Sequence, residues 1–254
     1  MSAAPRVGLF VTCLVDLVRP QVGFAAIKLL KQAGCVVEVP ATQTCCGQPA
    51  WNAGADKDAA EIARSVIMAF EGFDYVVAPS GSCAGMIKRH YPEVFEKDAA
   101  WLTRARALAA KTHELMSFLV KVRGVKNVPA RFAGKVCYHD SCSSLREMGV
   151  KAEPRALLSS VDGLSIDELS DPQTCCGFGG LFSVKYPDIS ERMADDKIAD
   201  ACATGAATLT GGDLGCLLHL AGRMKRQGKT LAVRHAAEIL AGMGCEPALG
   251  ELPQ

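Results

Sequence analysis

The chain has 254 residues, 49% of them apolar, which fills one large α/β domain or two ordinary lobes and excludes the disordered class. Its 28 basic and 27 acidic side chains leave a formal charge of +1, and only 6% of residues are aromatic, so neither a net field nor a stacking platform recruits nucleic acid. Twelve cysteines are too few for a disulfide scaffold and many for a reducing compartment, where such residues bind metal or do redox chemistry.

In chain order, the apolar run from Val7 to Val15 is interrupted by Asp16 and Arg19 and reads as a strand, not a signal peptide. No run approaches the ~20 apolar residues of a membrane span, and a soluble, intracellular protein is expected. The segment 8–13 predicts a buried strand; Pro20 then opens a helix to about Lys31, stopped by Gly34. Residues 35–40 predict a second strand, 55–71 a helix, and 74–80 a third strand. From 87 to 128 the pattern is helical and charged throughout. The cycle restarts with a strand at 135–140, a helix from Pro154 to Val161 and an extended segment at 164–170. An amphipathic helix at 188–204, a short strand at 206–212 and a helical tail close the chain.

The pentapeptide QTCCG occurs at 43–47 and again at 173–177. On the frame above, Cys13, Cys45, Cys46 and Cys83 each fall just past the end of a predicted strand, and so do Cys142, Cys175, Cys176 and Cys216. The spacings agree: 32 residues from Cys13 to Cys45 against 33 from Cys142 to Cys175, and 38 from Cys45 to Cys83 against 41 from Cys175 to Cys216. This is an internal duplication, with expected lobes at 1–128 and 129–254. Alternating strands and helices favour a parallel sheet, whose loops beyond the carboxyl ends of the strands share one edge, where ligands bind. Each half therefore gathers four thiols.

Adjacent cysteines rarely bridge each other, because consecutive Cα atoms are ~3.8 Å apart, but both can ligate a polynuclear centre. Mononuclear zinc more often uses C-x₂₋₄-C pairs, which neither half supplies. The pattern points to an iron-sulfur cluster, with zinc left open. Cys35, Cys137 and Cys202 read as core packing, and Cys245 stays undecided. His139, just before Asp140 and Cys142, is a candidate proton shuttle, substrate contact or catalytic base, a structural histidine being the other reading. His219, one helical turn after Cys216, is placed to face a cluster. His90, His113 and His235 read as solvent-facing or packing.

The stretches LFVTCLVDLVRPQVG, TCCGQPAWNAG, PSGSCAGMIKRHYPEVF, YHDSC and CCGFGGLFSVKYPDISERM resemble the lactate utilization protein A family over nearly the whole chain. The wider likeness is to the CCG domain found in heterodisulfide reductase and in the iron-sulfur subunit of glycolate oxidase. The resemblance implies a cytoplasmic iron-sulfur oxidoreductase of L-lactate, a small 2-hydroxy acid, working with lactate utilization proteins B and C. It implies Cys13, Cys45, Cys46 and Cys83 as one ligand set and Cys142, Cys175, Cys176 and Cys216 as another, for one or two clusters of the 4Fe-4S kind. The wider pattern ends in CxxC, where this chain has Met86 and His219. That argues against a five-cysteine cluster and leaves four thiols for a cubane, a labile cluster or, in one half, zinc. A component of a thiol or quinone reductase and a zinc-stabilised interaction module are the competing functions.

Overall fold

Eight short strands carry the architecture in the computed structural model, which describes residues 3–251. The first four are β1 (Arg6–Leu9), β2 (Val36–Glu38), β3 (Tyr75–Ala78) and β4 (Thr112–Glu114). They form a parallel sheet in the order β2-β1-β3-β4. The second four are β5 (Arg131–His139), β6 (Asp162–Ile166), β7 (Thr208–Gly211) and β8 (Ala232–His235). Their order, β6-β5-β7-β8, repeats the first with every pairing parallel. Helices cover the sheets, so the central strands are apolar on both faces, as parallel sheets require. In each sheet the chain steps from the first strand to one side and then to the other, which makes a switch point between β1 and β3 and between β5 and β7.

Two strands depart from the sequence expectation. β4 lies inside 87–128, whose pattern predicts helix throughout, and β8 lies inside the predicted helical tail. Both are edge strands, hydrogen-bonded on one side only. The sequence around β4, THELMS, includes the good helix formers Glu, Leu and Met, and extends for three residues before the chain turns helical again. Here pairing with β3 overrides local propensity.

The lobes share a core. Val7, Leu9, Ala25, Leu29 and Leu30 of the first lobe belong to one buried cluster with Val136, Leu157, Ile239 and Leu240 of the second. The helix Pro20–Gln32 opens with proline at its first turn and buries Val22, Ala25, Ala26, Leu29 and Leu30, a stripe at helical spacing. It packs against the helix Ala236–Leu240. Arg19 pairs with the fully buried Glu238 carboxylate at 2.8 Å, and Lys28 Nζ donates to Ala241 O at 2.7 Å. No described helix is long and apolar enough to cross a membrane.

Candidate metal centre between the lobes

The four thiols of the first half converge at the strand ends. Cys13 opens the helix Cys13–Val18, whose capping residue Thr12 accepts from Val15 N. Cys83 sits in the helix Gly81–Gly85, capped by Ser80. Cys45 and Cys46 lie on the loop after β2. Cys13 and Cys45 Sγ are 3.9 Å apart, and Cys46 and Cys83 Sγ 3.3 Å apart. Tyr91, fully buried, donates its hydroxyl to Cys46 O at 2.9 Å and fixes that loop from behind.

The second half repeats the arrangement. Cys142 opens the helix Cys142–Arg146, Cys216 lies in the helix Leu214–Arg226, and Cys175 and Cys176 follow β6. Gly47 and Gly177, next after each vicinal pair, both take φ of +84° and aim their N–H at the first sulfur of the pair, 3.5 Å from Cys45 Sγ and 3.4 Å from Cys175 Sγ. That left-handed conformation is why the pentapeptide ends in glycine. The Cys13 and Cys46 thiols and the Gly47 N–H hold Cys45 far below an ordinary thiol pKa, and Cys142, Cys176 and Gly177 do the same for Cys175. Cys13 and Cys142 are pushed up in exchange, through the sulfur contact and burial. Each set thus offers one stabilised thiolate, the ligating form.

The two sets face each other across the lobe boundary. A cavity of about 170 Å³ is lined by Cys13, Cys45, Cys46 and Cys83 and walled by Phe178, Gly180 and Asp213 of the other lobe. A second cavity, about 260 Å³, is lined by Cys142, Cys175, Cys176 and Cys216 and walled by Gln48, Trp51, Asn52 and His90. Gln48, Ser82, Phe178, Gly180 and Asp213 border both. The partition is held by a contact between matching positions: Ser80 and Asp213 each stand three residues before the last cysteine of their set. Asp213 leaves its own helix uncapped and accepts instead from Ser80 Oγ and Ser82 N, both at 3.0 Å. Gly81 lets the two cysteine-bearing helices meet, because any Cβ there would overlap Ser144. His235 adds a contact of Nε2 with Pro79 O at 3.2 Å.

Further groups fix the second set. Arg155 makes a bidentate pair with the buried Asp140, 2.9 Å at its closest, and a second with Glu168, holding the turn that presents Cys142. Ser190 Oγ donates to Gly177 O at 2.8 Å and lies 3.3 Å from His219 Nε2. His219 therefore braces the second vicinal pair from behind. His139 is buried, and burial followed by the Lys197 charge lowers its pKa to about 4. Its ring is grouped with Cys176 and Cys216 and does not line the second cavity.

His90, read from sequence as solvent-facing or packing, lines that cavity, 2.8 Å from Glu93 and 3.9 Å from Glu147. It ends a widened i→i+5 turn, Met86–His90, that follows the Cys83 helix. Met86, standing where CxxC would place a cysteine, is fully buried in the first-lobe core. Cys35 and Cys137 are buried, but Cys202 is exposed. The helix Pro187–Ala203 buries Ser190, Ala194, Lys197, Ile198 and Ala201, and position 202 is turned ~100° from that stripe. Cys245 is exposed.

The donor set fits a thiolate-bound metal or iron-sulfur centre: soft sulfur ligands, backbone N–H groups toward sulfur and adjoining cavities all belong to such sites. The CCG family, a cysteine-rich domain, matches residues 7–88 and again 136–221. The chain is 47% identical over 236 residues to lactate utilization protein A 2 of Bacillus cereus strain Q1, covering 93% of this chain and 98% of that one. It is 48% identical over 235 residues to lactate utilization protein A of Geobacillus sp. strain WCH70, covering 92% and 98%. Among solved structures, a hypothetical protein from Helicobacter pylori aligns with a TM-score of 0.68 at 10% identity, over 96% of this chain and 51% of that one. That likeness is one of fold.

Proposed function

The chain belongs to the lactate utilization protein A family, and from that premise we propose that it is the iron-sulfur redox subunit of a cytoplasmic system oxidising L-lactate to pyruvate. The observation that carries the reading is the pair of four-thiol sets facing each other across one partition. Cys13, Cys45, Cys46 and Cys83 would hold one cluster, and Cys142, Cys175, Cys176 and Cys216 the other. Bound iron-sulfur clusters supply one-electron transfer. Oxidation of lactate to pyruvate releases two electrons and two protons, so two such carriers match the stoichiometry.

The residues of this chain do the holding. Gly47 and Gly177 point N–H groups at sulfur and favour its anionic form. The Ser80–Asp213 contact keeps the two sets in register across the lobe boundary. The larger cavity, with Gln48, Asn52, His90, Ser143 and Glu147 on its walls, has the polar lining that a small hydroxy acid needs for orientation. Lactate utilization proteins B and C are the partners of this assignment.

The test is anaerobic reduction of the reconstituted three-protein system. L-lactate added to the oxidised complex is expected to bleach the visible absorbance of this chain and yield pyruvate. A complex inert to lactate, whose dithionite-reduced chain instead reduces a disulfide or a quinone stoichiometrically, would replace this reading with the thiol or quinone reductase one.

A further inference from the structure

One buried polar group near the second thiol set has no partner. His139 ends β5 with 1% of its surface exposed, and neither Nδ1 nor Nε2 makes a hydrogen bond. A buried neutral imidazole carries one donor and one acceptor, and each left unmade costs about 1–3 kcal/mol. Native interiors rarely tolerate both, so the ring is built for something that occupies the site.

The geometry names the occupant. One ring nitrogen of His139 lies with Cys176 Sγ and Cys216 Sγ in a group whose members are all within 4.8 Å of one another. Donors bonded to one tetrahedral metal at ~2.0–2.3 Å stand roughly 3.3–3.8 Å apart, so the ring nitrogen reaches a metal atom held by either sulfur with small movements of the side chains.

The first lobe has no counterpart. His139 stands three residues before Cys142; three residues before Cys13 stands Phe10, fully buried, its ring centroid 5.5 Å from that of Phe70. The duplication that preserved all four clustered cysteines and both left-handed glycines diverges at this position beside the sulfurs.

We infer that His139 is a metal-ligating nitrogen of the second site, which makes that site a mixed sulfur-nitrogen centre beside an all-thiolate first one. The inference rests on the iron-sulfur reading above and adds a donor to it. The second site then has five donors against four, and a cluster of four irons there has one metal atom with a second protein ligand.

The experiment is pulsed electron-nuclear double resonance on the reduced, iron- and sulfide-reconstituted chain, prepared with natural and with ¹⁵N-labelled histidine. Iron and sulfide are counted on the same samples. A strongly coupled histidine nitrogen is expected in the wild type. His139→Phe, which installs the residue the first lobe carries, is expected to abolish that coupling. Weak coupling only, as from an N–H···S contact, or strong coupling that survives His139→Phe, overturns the inference and leaves the iron-sulfur reading standing. A second site without iron and sulfide overturns both. The isotope comparison on the wild type decides the matter even if His139→Phe does not fold, and His139→Gln supplies a smaller change at the same place.

Discussion

Asp213→Ala removes the carboxylate that joins the two cysteine-bearing regions. Asp213 is 5% exposed, and its Oδ2 accepts from both Ser80 Oγ and Ser82 N at 3.0 Å. Hydrogen bonds to a charged acceptor contribute about 1.5–3 kcal/mol each. Ser80 Oγ keeps a contact with Ser82 Oγ at 3.1 Å, which offsets part of the loss, while the Ser82 N–H is left without its acceptor. The net destabilisation is therefore about 2–4 kcal/mol, equivalent to a fall of roughly 5–15 °C in Tm for a chain of this size. Asp213→Asn keeps a neutral oxygen at the same place and should lose about half as much. Thermal unfolding of the metal-free chain, followed by far-ultraviolet circular dichroism under argon, measures both. A Tm for Asp213→Ala within about 1 °C of wild type, or equal losses for the two variants, would refute the reasoning that this carboxylate ties the lobes together.

Gly47→Ala and Gly177→Ala impose the same backbone strain, φ of +84° in each case, costing about 1–2 kcal/mol. At Gly177 an added Cβ also meets the Ser190 carbonyl oxygen at 2.5 Å, whereas at Gly47 its nearest neighbour is the Ile62 side chain at 3.2 Å. Denaturant titration should therefore show Gly177→Ala as the more damaging by a further 1–3 kcal/mol or so. Glu114 is fully buried with Oε1 unpaired, and desolvation raises its pKa from 4.5 to about 7. The native state then holds a proton that the unfolded state has released, so this group weakens the fold progressively as pH rises from about 4.5 to 7. Glu114→Gln, which keeps an acceptor for Ser117 N, should gain stability over wild type by on the order of 3 kcal/mol at pH 8 and almost nothing at pH 4, read from Tm against pH. Arg155→Ala strands the buried Asp140 carboxylate and should cost about 3–5 kcal/mol; chemical denaturation checks it, and Arg155→Lys should recover part of the loss.

Much of this arrangement is legible in the sequence because it is local. The vicinal cysteines, their glycine and the strand before them fall within a few residues, and the duplication repeats that signal at matching intervals. Most of the strands carry apolar residues that mark them, and Asp162–Ile166 shows only alternation. Thr112–Glu114 and Ala232–His235 are not marked in this way: they are edge strands whose partners lie elsewhere in the chain, and pairing defines them. The contacts that turn two thiol sets into one site are also non-local. Ser80 and Asp213 lie 133 residues apart, and neither residue type by itself announces a cap that reaches across a lobe boundary. The same holds for His90, a first-lobe residue that lines the second lobe's cavity. The helical pattern around Cys202 places it in the core, but a helix one residue out of phase with its apolar stripe turns it to solvent.

The most direct measurement is iron, acid-labile sulfide and zinc per chain on anaerobically purified protein, for the wild type, Cys45→Ser and Cys175→Ser, with the visible spectrum of each. Two four-thiol sites predict about eight irons with matching sulfide in the wild type and roughly half of that in either variant, with a brown absorbance that dithionite bleaches. Zinc without sulfide, or undiminished iron in both variants, would contradict the assignment of the facing thiol sets as cluster sites.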